Sequence, residues 1–325
     1  MIAPCRQFLF FVGPLWFVGP LLLVGPAIAG DHQPTPAPPD PSYSDIRVAA
    51  VPNPSESSAI NKKSYQLRYK LRPGDTLRYE VDHQASVRST MEGTSQKALT
   101  RSQSVKAWKV LNVFPDGQIE LQHTVERVRM TNKLPDQAEQ SYDSRDDDTP
   151  PPGFEDAAKA IGVPLSIVRI TPWGQLMKRE ELHHQPAADP SAPITVLLPK
   201  HPVAIGASWN EPRDITVNLT EGEGTKAIKT RRHMRLESVV DGVATIRAQH
   251  QVLSPVTPPI EAQLAQRLMT GTIKFDINSG RILSQRIDVD KNVLGFAGPT
   301  SSMHYVMRMK ERLVKRPAKV ARRKK

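Results

Sequence analysis

A short helix followed by a β-hairpin is the sequence feature that most constrains this fold. Residues 257–290 read TPPIEAQLAQRLMTGTIKFDINSGRILSQRIDVD. Thr257 is typical of an N-cap, the two prolines suit a first helical turn, and apolar residues recur at helical spacing. The pattern predicts a helix over 258–269 that Gly271 ends. Two strands with alternating apolar residues then follow, joined by an Asn-Ser-Gly turn.

The same unit occurs earlier in the chain. Two prolines, a short helix over 154–161, a strand, a Gly turn and a second strand follow in the same order. Upstream, the GDTL turn at Gly74 recurs as GASW at Gly206, and the Asp-Gly turn at 116–117 recurs at 241–242. A kept order with shortened loops is expected of a duplicated unit. We therefore predict a mainly β (α+β) fold, with large curved antiparallel sheets or half-barrels from an internally duplicated unit, each copy with one short helix.

Composition divides the chain into five segments. Residues 1–29 have a positive start, an apolar run and an Ala-Ile-Ala site, which predict a cleaved signal peptide and therefore export to the periplasm, cell envelope or exterior. An uncleaved anchor is the alternative, which three Gly-Pro pairs in the run disfavour. The other segments are a Pro-rich disordered linker (30–63), a first β-rich repeat (64–198), a second β-rich repeat (199–313) and a basic disordered tail (314–325).

Charge and cysteine content are concentrated in the terminal segments. The only cysteine, Cys5, lies in the predicted signal, so the mature chain has no disulfide and its core must be held by burial alone. Ten Lys/Arg against one Glu between Arg308 and Lys325 supply +9 of the net +11. We interpret the basic character as belonging to the tail and not to a binding face spread over the fold.

The basic tail is the segment with a physical reason to bind a partner. Its like charges predict disorder and a salt-dependent attraction to polyanions: anionic lipid head groups, acidic glycans or cell-wall polymers, or nucleic acid. No aromatic residue follows Tyr305, so sequence-specific nucleic-acid binding is not predicted. A solubilising terminus is the alternative. The predicted polyanion-binding residues are Lys315, Arg316, Lys319, Arg322, Arg323, Lys324 and Lys325.

Two local clusters raise the question of a metal site. Asp143 and the three aspartates at 146–148 lack the Asp-x-Asp-x-Asp-Gly spacing and distal Glu of a calcium loop, which favours a solvated acidic loop. His183 and His184 are adjacent, and adjacent residues on a strand point to opposite faces, so they would not reach one ion from regular structure. We predict no metal and no cofactor.

Catalytic motifs are absent from the sequence. There is no nucleophile elbow, metalloprotease helix, Cys pair, phosphate loop or dinucleotide fingerprint. Without a carboxylate or nucleophile at a fixed offset, the histidines on predicted strands or turns are given no catalytic role: His83, His123, His201, His233, His250 and His304. A hydrolase with a dispersed carboxylate pair stays an alternative that no linear motif reveals.

Three stretches carry a resemblance: LRYKLRPGDTLRYEV, LPKHPVAIGASW and GTIKFDINSGRILSQRIDVD. Over most of residues 64–313 the chain resembles an uncharacterised family of exported bacterial β-rich proteins. More distantly, its architecture is similar to that of the periplasmic lipoprotein carriers, in which a curved antiparallel sheet wraps helices around an apolar cavity. This resemblance implies a half-barrel whose two helices lie over the concave face, with an apolar small molecule or lipid as partner.

These observations lead to one preferred function and two alternatives. The preferred function is a non-enzymatic exported protein that binds or carries an apolar ligand, or acts as an envelope scaffold. The alternatives are a polyanion-binding envelope protein attached through its tail, and the carboxylate-pair hydrolase. We expect a site, if there is one, where the two copies of the helix-hairpin unit face each other.

Overall fold

The structure, a computed structural model, describes residues 63–183, 195–219 and 224–314. The predicted signal peptide, nearly all of the linker, His184 and the seven predicted polyanion-binding residues lie outside these ranges. The elements of the first half are β1 Ser64–Tyr65, β2 Thr76–Met91, β3 Thr94–Val113, β4 Ile119–Lys133, β5 Gln140–Asp143, α1 Glu155–Lys159, β6 Pro164–Ile170 and β7 Leu176–Glu181. Those of the second half are β8 Val203–Ala204, β9 Ser208–Asn218, β10 Thr225–Val240, β11 Val243–Val252, α2 Pro258–Leu264, β12 Thr270–Asp276, β13 Arg281–Leu294 and β14 Ser302–Leu313.

One antiparallel sheet of 12 strands holds nearly all of these elements, and it is not closed. Its order is β7-β6-β4-β3-β2-β14-β13-β12-β11-β10-β9, with β5 beside β4, while β1 and β8 pair separately. The mainly β, antiparallel prediction is confirmed. Strands β7-β6-β4-β3-β2 of the first half and β13-β12-β11-β10-β9 of the second half lie in the same order across the sheet, and β14 lies between the two sets. This correspondence supports the predicted duplication, which stays a proposal.

Two backbone hydrogen bonds show that the sheet is strongly curved. Tyr69 N donates to Pro172 O (2.7 Å) in the β6–β7 turn, and Lys70 N donates to Gly280 O (3.0 Å) in the β12–β13 turn. Strands β6 and β13 are five spacings apart, which is about 24 Å in a flat sheet. Consecutive residues are about 3.8 Å apart. The sheet therefore curls around the segment that contains Tyr69.

This segment supplies the centre of the main core. Leu67, Tyr69 and Leu71 are buried, and the Tyr69 ring meets Phe275 edge to face at 5.6 Å between ring centroids. Apolar residues alternate over 65–71 as they do in a strand, but beyond Tyr65 the segment is not part of one. The N–H groups of Tyr69 and Lys70 bond to turns from both halves, so the segment fills the end of the sheet instead of extending it.

Residues 196–198, which we call the strap, link the two edges of the sheet at the end that the central segment fills. Leu198 N donates to Trp173 O (2.7 Å) beside β7, and Trp209 Nε1 donates to Leu197 O (2.8 Å) at the start of β9. Val196 is also held, because its N–H donates to the Tyr69 hydroxyl (3.1 Å). The edge strands are thus linked through the strap and not through each other.

Both helices pack on the sheet toward its other end and are shorter than predicted. Helix α1 follows Phe154, which packs on Val128 and Met130 of β4. Helix α2 joins two clusters, with Ile260 and Leu264 on β9 and β10 and with Ala262 and Ala265 on β13 and β14; its partners there are Ile215, Val217, Ile228, Val289, Val293 and Met303.

Two boundaries of the predicted elements were wrong. Gly271 does not end the helix but lies inside β12, where a Cβ would meet the Arg286 carbonyl oxygen. Sheet pairing sets this boundary, because Met269 O already accepts from His250 N of β11 (3.0 Å). In the predicted loop 133–153, β5 pairs with β4.

Candidate functional site

The inner face of the sheet is the face that carries the buried core. Along β14, Met303, Tyr305, Met307 and Met309 lie on this side. Arg308 and the other even-numbered residues of β14 lie on the outer face. The pairing register then assigns the residues of the other strands to the inner or the outer face, because residues paired across antiparallel strands share a face.

The middle of the inner face is only partly covered; it is apolar on β2, β13 and β14 but polar on β3, where Thr100, Ser102 and Ser104 pair with β2. Between the main core and the helix clusters lie half-buried aliphatic side chains of β2, β13 and β14, which we call the inner strip: Val81, Ala85, Val87, Ile287 and Met309. The strip lies where the first half meets the last strand of the chain. The expected place was where two helix-hairpin units face each other; of the three strands of the strip, only β13 belongs to such a unit.

Two buried polar side chains lie inside the inner strip. His83 and Thr100 are each 7% exposed, and within the described residues His83 Nδ1 and Thr100 Oγ1 have no hydrogen-bond partner. His83 pairs with Ser102, and Ala85 pairs with Thr100. His83 and Thr100 are therefore diagonal neighbours on one face, about 7 Å apart in ordinary sheet geometry.

A buried ion pair lies one row toward the main core. Lys106 Nζ is 2.7 Å from Glu311 Oε1, and Glu311 Oε2 accepts from Gln285 Nε2 at 2.5 Å. Glu311 is only 4% exposed. The three side chains come from β3, β14 and β13 and line a crevice with Tyr69 and Tyr79. Its walls enclose about 480 Å³ including space open to solvent, and its interior has room for on the order of three waters.

Two further carboxylates on the inner side also face cations. Glu211 Oε2 lies 2.6 Å from Arg232 Nη2, an approach close in distance but not aligned as a hydrogen bond. Glu261 of α2 lies 3.9 Å from Lys291 Nζ. A cation beside each of these carboxylates favours a structural ion pair over the free acid and base that a hydrolase needs.

Three inward-facing histidines are held neutral. Burial lowers the pKa of His83 to about 4 against an opposing effect of Asp82. Burial also lowers the pKa of His250 to about 4, although its ring bonds to Met269 O (3.0 Å). Burial, with Lys106 and Arg179, lowers the pKa of His123 to about 3. The His123 ring stacks on Trp108 at 4.4 Å.

We expect the protein to lose stability between pH 6.5 and about pH 4. Since the folded pKa values lie below the unfolded value, the unfolded chain binds more protons in this window, and each histidine costs up to about 1.4 kcal/mol per pH unit. The free energy of unfolding, measured in urea at several pH values, should depend less steeply on pH in the His83→Gln variant. The exposed His201→Gln variant should keep the original slope. Equal slopes in all three proteins would contradict the prediction.

The clusters considered for metal binding have other roles or lie apart. Asp143 N donates to Asp147 Oδ2 (2.6 Å), and Asp143 Oδ1 accepts from Arg145 N (3.0 Å), so these aspartates shape a turn. In the described part of the chain, no group of three His, Cys, Asp or Glu side chains could hold a metal ion. Neither helix in the described ranges has the length and apolar composition that a membrane crossing requires.

Sequence reasoning had noted His83 only as isolated, and it had missed Thr100, Lys106 and Glu311. Alternation along β2 does place His83 with Tyr79 and Val81 on one face. Its neighbours on β3 and β14 depend on register, which no local signal in the sequence provides.

Comparisons with known proteins give no family. No protein-family model and no curated protein matches the chain. Among solved structures, the chain weakly resembles one described as lipid-protein interactions in lipovitellin, with 12% identity, a TM-score of 0.40, and coverage of 76% of this chain and 26% of that chain. It also matches DynF from the dynemicin biosynthesis pathway of Micromonospora chersina, with 6% identity, a TM-score of 0.20, and coverage of 82% and 94%. The chain thus spans about a quarter of the lipovitellin chain. At these scores the two matches carry no functional argument, and the proposed function rests on the geometry of the site.

Proposed function

We propose that this is an exported, non-enzymatic protein that binds an amphiphilic ligand, an apolar chain with an uncharged polar end, on the inner strip. The observation that carries the proposal is the pair His83 Nδ1 and Thr100 Oγ1, two buried polar atoms without partners in the described chain. Buried polar atoms in folded proteins nearly always have a hydrogen-bond partner. A polar group of a ligand between them would satisfy both atoms.

The surroundings of this pair suit a hydrocarbon chain. The inner strip leaves aliphatic groups half-covered in the middle of the sheet. Met309 lies directly across from His83, and Met307 from Ala85. Methionine side chains adapt to irregular apolar partners. The neighbouring crevice has room for only a few waters, so the chain would lie along the strip.

The polar end of the ligand is expected to carry no charge. His83 is neutral at physiological pH because burial lowers its pKa to about 4. A neutral imidazole and a hydroxyl group bind alcohols, esters and amides through ordinary hydrogen bonds. A charged head group would have to lose its water beside Val81 and Met309, which is costly without a counter-charge.

The Thr100→Val variant separates ligand binding from stability. Removal of an unpartnered buried hydroxyl should leave the free energy of unfolding unchanged or raise it by about 1 kcal/mol. Affinity for a fluorescent long-chain alcohol should fall about fivefold to tenfold, because one hydrogen bond to the ligand is lost. Fluorescence titration and urea unfolding measure the two effects. Unchanged affinity would remove Thr100 from the site.

A second pair of variants tests the apolar part of the same prediction. Ala85→Trp fills the inner strip, whereas Ser86→Trp adds the same ring to the outer face of the same strand. Only Ala85→Trp should abolish binding. Native mass spectrometry of protein from its own host should show a co-purifying lipid. A ligand-free protein that also fails to bind the probe would overturn the proposal.

A second candidate function is attachment to an anionic envelope polymer through the tail. The observation in its favour is that the tail follows β14, whose outward side chains include the cations Arg308, Lys310 and Arg312, of which Arg312 is paired with Glu80. The tail would extend this charge beyond Val314. The hydrolase alternative has no observation in its favour within the described residues.

A further inference from the structure

The outer face of the second half carries a line of cations in register. Arg235 on β10 pairs with Arg247 on β11, and Arg247 pairs with Thr272 on β12. Thr272 pairs with Arg286 on β13, and Arg286 pairs with Lys310 on β14. We call the four cations, all exposed, the cation row. They span four strand spacings, or about 19 Å.

Within the described ranges, most of the cation row lacks acidic partners, whereas several cations on the outer face of the first half are paired. There, Arg78 lies 2.9 Å from Glu126, and each of several other cations has its own acid. In the row, Arg286 lies 2.9 Å from Asp288, which is also 3.9 Å from Arg308. The other three members of the row have no acidic partner among the described residues. The row is therefore a concentrated positive charge.

This arrangement works against folding. Like charges directly opposite on neighbouring strands are destabilising, and the row contains two such pairs. Places where a sequence breaks a local folding rule are expected to be functional. Guanidinium groups bind carboxylate and sulfate with two parallel hydrogen bonds. The row thus destabilises the protein when no ligand is bound, and its geometry is suited to binding anions.

The shape of the positive charge favours a linear partner. On one side of the row, the next line of outward residues contains the acid Asp288. On the other side, Arg312 is neutralised by Glu80 at 2.7 Å, while Lys274 donates to Thr245 Oγ1 at 2.9 Å and keeps its charge. The unneutralised charge therefore runs mainly across the strands, with Lys274 beside it. A planar membrane would need a two-dimensional patch.

The groups around the row favour a sugar polymer. Between Arg247 and Arg286 lies a shallow polar groove lined by Thr270, Thr272 and the carboxylate of Asp288, which accepts two hydrogen bonds from Arg286. The threonine hydroxyl groups, with the amide of Gln249, can bond to sugar hydroxyls. The outward residues of strands β10 to β14 include no Phe, Tyr or Trp side chain on which a base could stack.

We propose that the cation row binds an acidic polysaccharide, a linear polymer with carboxylate or sulfate groups, laid across β10 to β14. This inference goes beyond ligand binding on the inner face and is independent of it. It also revises the interpretation that the basic charge belongs only to the tail. The near-neutral net charge of the fold had concealed the row, because the acids are concentrated elsewhere.

Binding of polygalacturonate by the full chain tests the proposal. Arg247→Gln with Arg286→Gln should weaken binding about tenfold near 0.1 M salt and reduce its salt dependence. The matched control is Lys97→Gln with Lys109→Gln, two exposed outer-face cations of β3, which removes the same charge. The control should stay within about twofold of the original protein. Equal losses in both variants would mean that net charge alone acts, and would overturn the proposal.

Three further measurements complete the test. A full-length variant with the seven tail cations changed to Gln should retain the effect of the row substitutions; if only the tail variant loses binding, the tail and not the row is the site. Polyphosphate or duplex DNA bound more tightly than polygalacturonate would overturn the ligand class.

The row variant should melt at the same or a higher temperature, since like-charge neighbours are removed. A lower melting temperature would contradict the argument from folding cost.

Discussion

The Gly280→Ala variant is expected to lose about 3–5 kcal/mol of folding free energy. Gly280 has φ +61°, a conformation that costs other residues about 1–2 kcal/mol. An added Cβ would also lie 2.5 Å from Lys70 Cβ and 2.7 Å from Arg68 O. Relief of these contacts would break the Lys70 N hydrogen bond to Gly280 O, which costs about 1–3 kcal/mol more. Urea denaturation measures the loss.

Gly93→Ala is the matched control for this prediction. Gly93 has φ +78°, and an added Cβ would meet nothing within 4 Å. Its loss should therefore be only the backbone cost of about 1–2 kcal/mol. The difference between the two variants measures how strongly the β12–β13 turn is held against the central segment. Equal losses would show that this contact does not hold the curved sheet together.

The Lys106→Met variant is expected to lose about 3–5 kcal/mol, because it leaves the buried Glu311 carboxylate without its cation. The double variant Lys106→Met with Glu311→Leu should recover most of this loss, since two apolar side chains replace a buried ion pair at little net cost. A double-mutant cycle by urea unfolding gives the coupling between them. A double variant as unstable as Lys106→Met would contradict this account of the pair.

An exposed ion pair on the same strand provides the comparison. Arg312 Nη2 lies 2.7 Å from Glu80 Oε2, a similar distance, but these side chains are 75% and 51% exposed. Solvent and salt screen such a pair, so Arg312→Met should cost less than about 1 kcal/mol. Burial, and not distance, is the cause of the expected contrast. Similar losses for Arg312→Met and Lys106→Met would contradict it.

Local sequence patterns predicted the elements well wherever a turn residue marked a boundary. The Asp-Gly turns and the Gly174 and Gly280 turns lie between the predicted strands. Prediction failed where a distant partner decided the outcome. The 65–71 segment has the alternation of a strand, yet Pro172 and Gly280 accept the N–H groups of its centre. Gly271 looked like a helix end, but close approach of the Arg286 backbone explains it.

The candidate sites were harder to predict than the fold. Alternation alone assigns His83 to the inner face and Arg286 to the outer face. It does not pair His83 with Ser102, nor Arg286 with Lys310. Such pairs depend on register between strands that lie far apart in the chain, and a shift of one residue would reverse every face.

By itself, the sequence determined the strands, their turns and the side of each strand that is apolar, because period-two alternation and turn chemistry are local properties. Only the tertiary structure decided which charges become neighbours. It buried Glu311 beside Lys106, and it left Arg247 exposed with no acidic partner among the described residues, while Arg286 pairs with Asp288. The physical reason is that electrostatic and packing energies depend on distances in space. In this protein, the curvature and register of one long sheet set those distances.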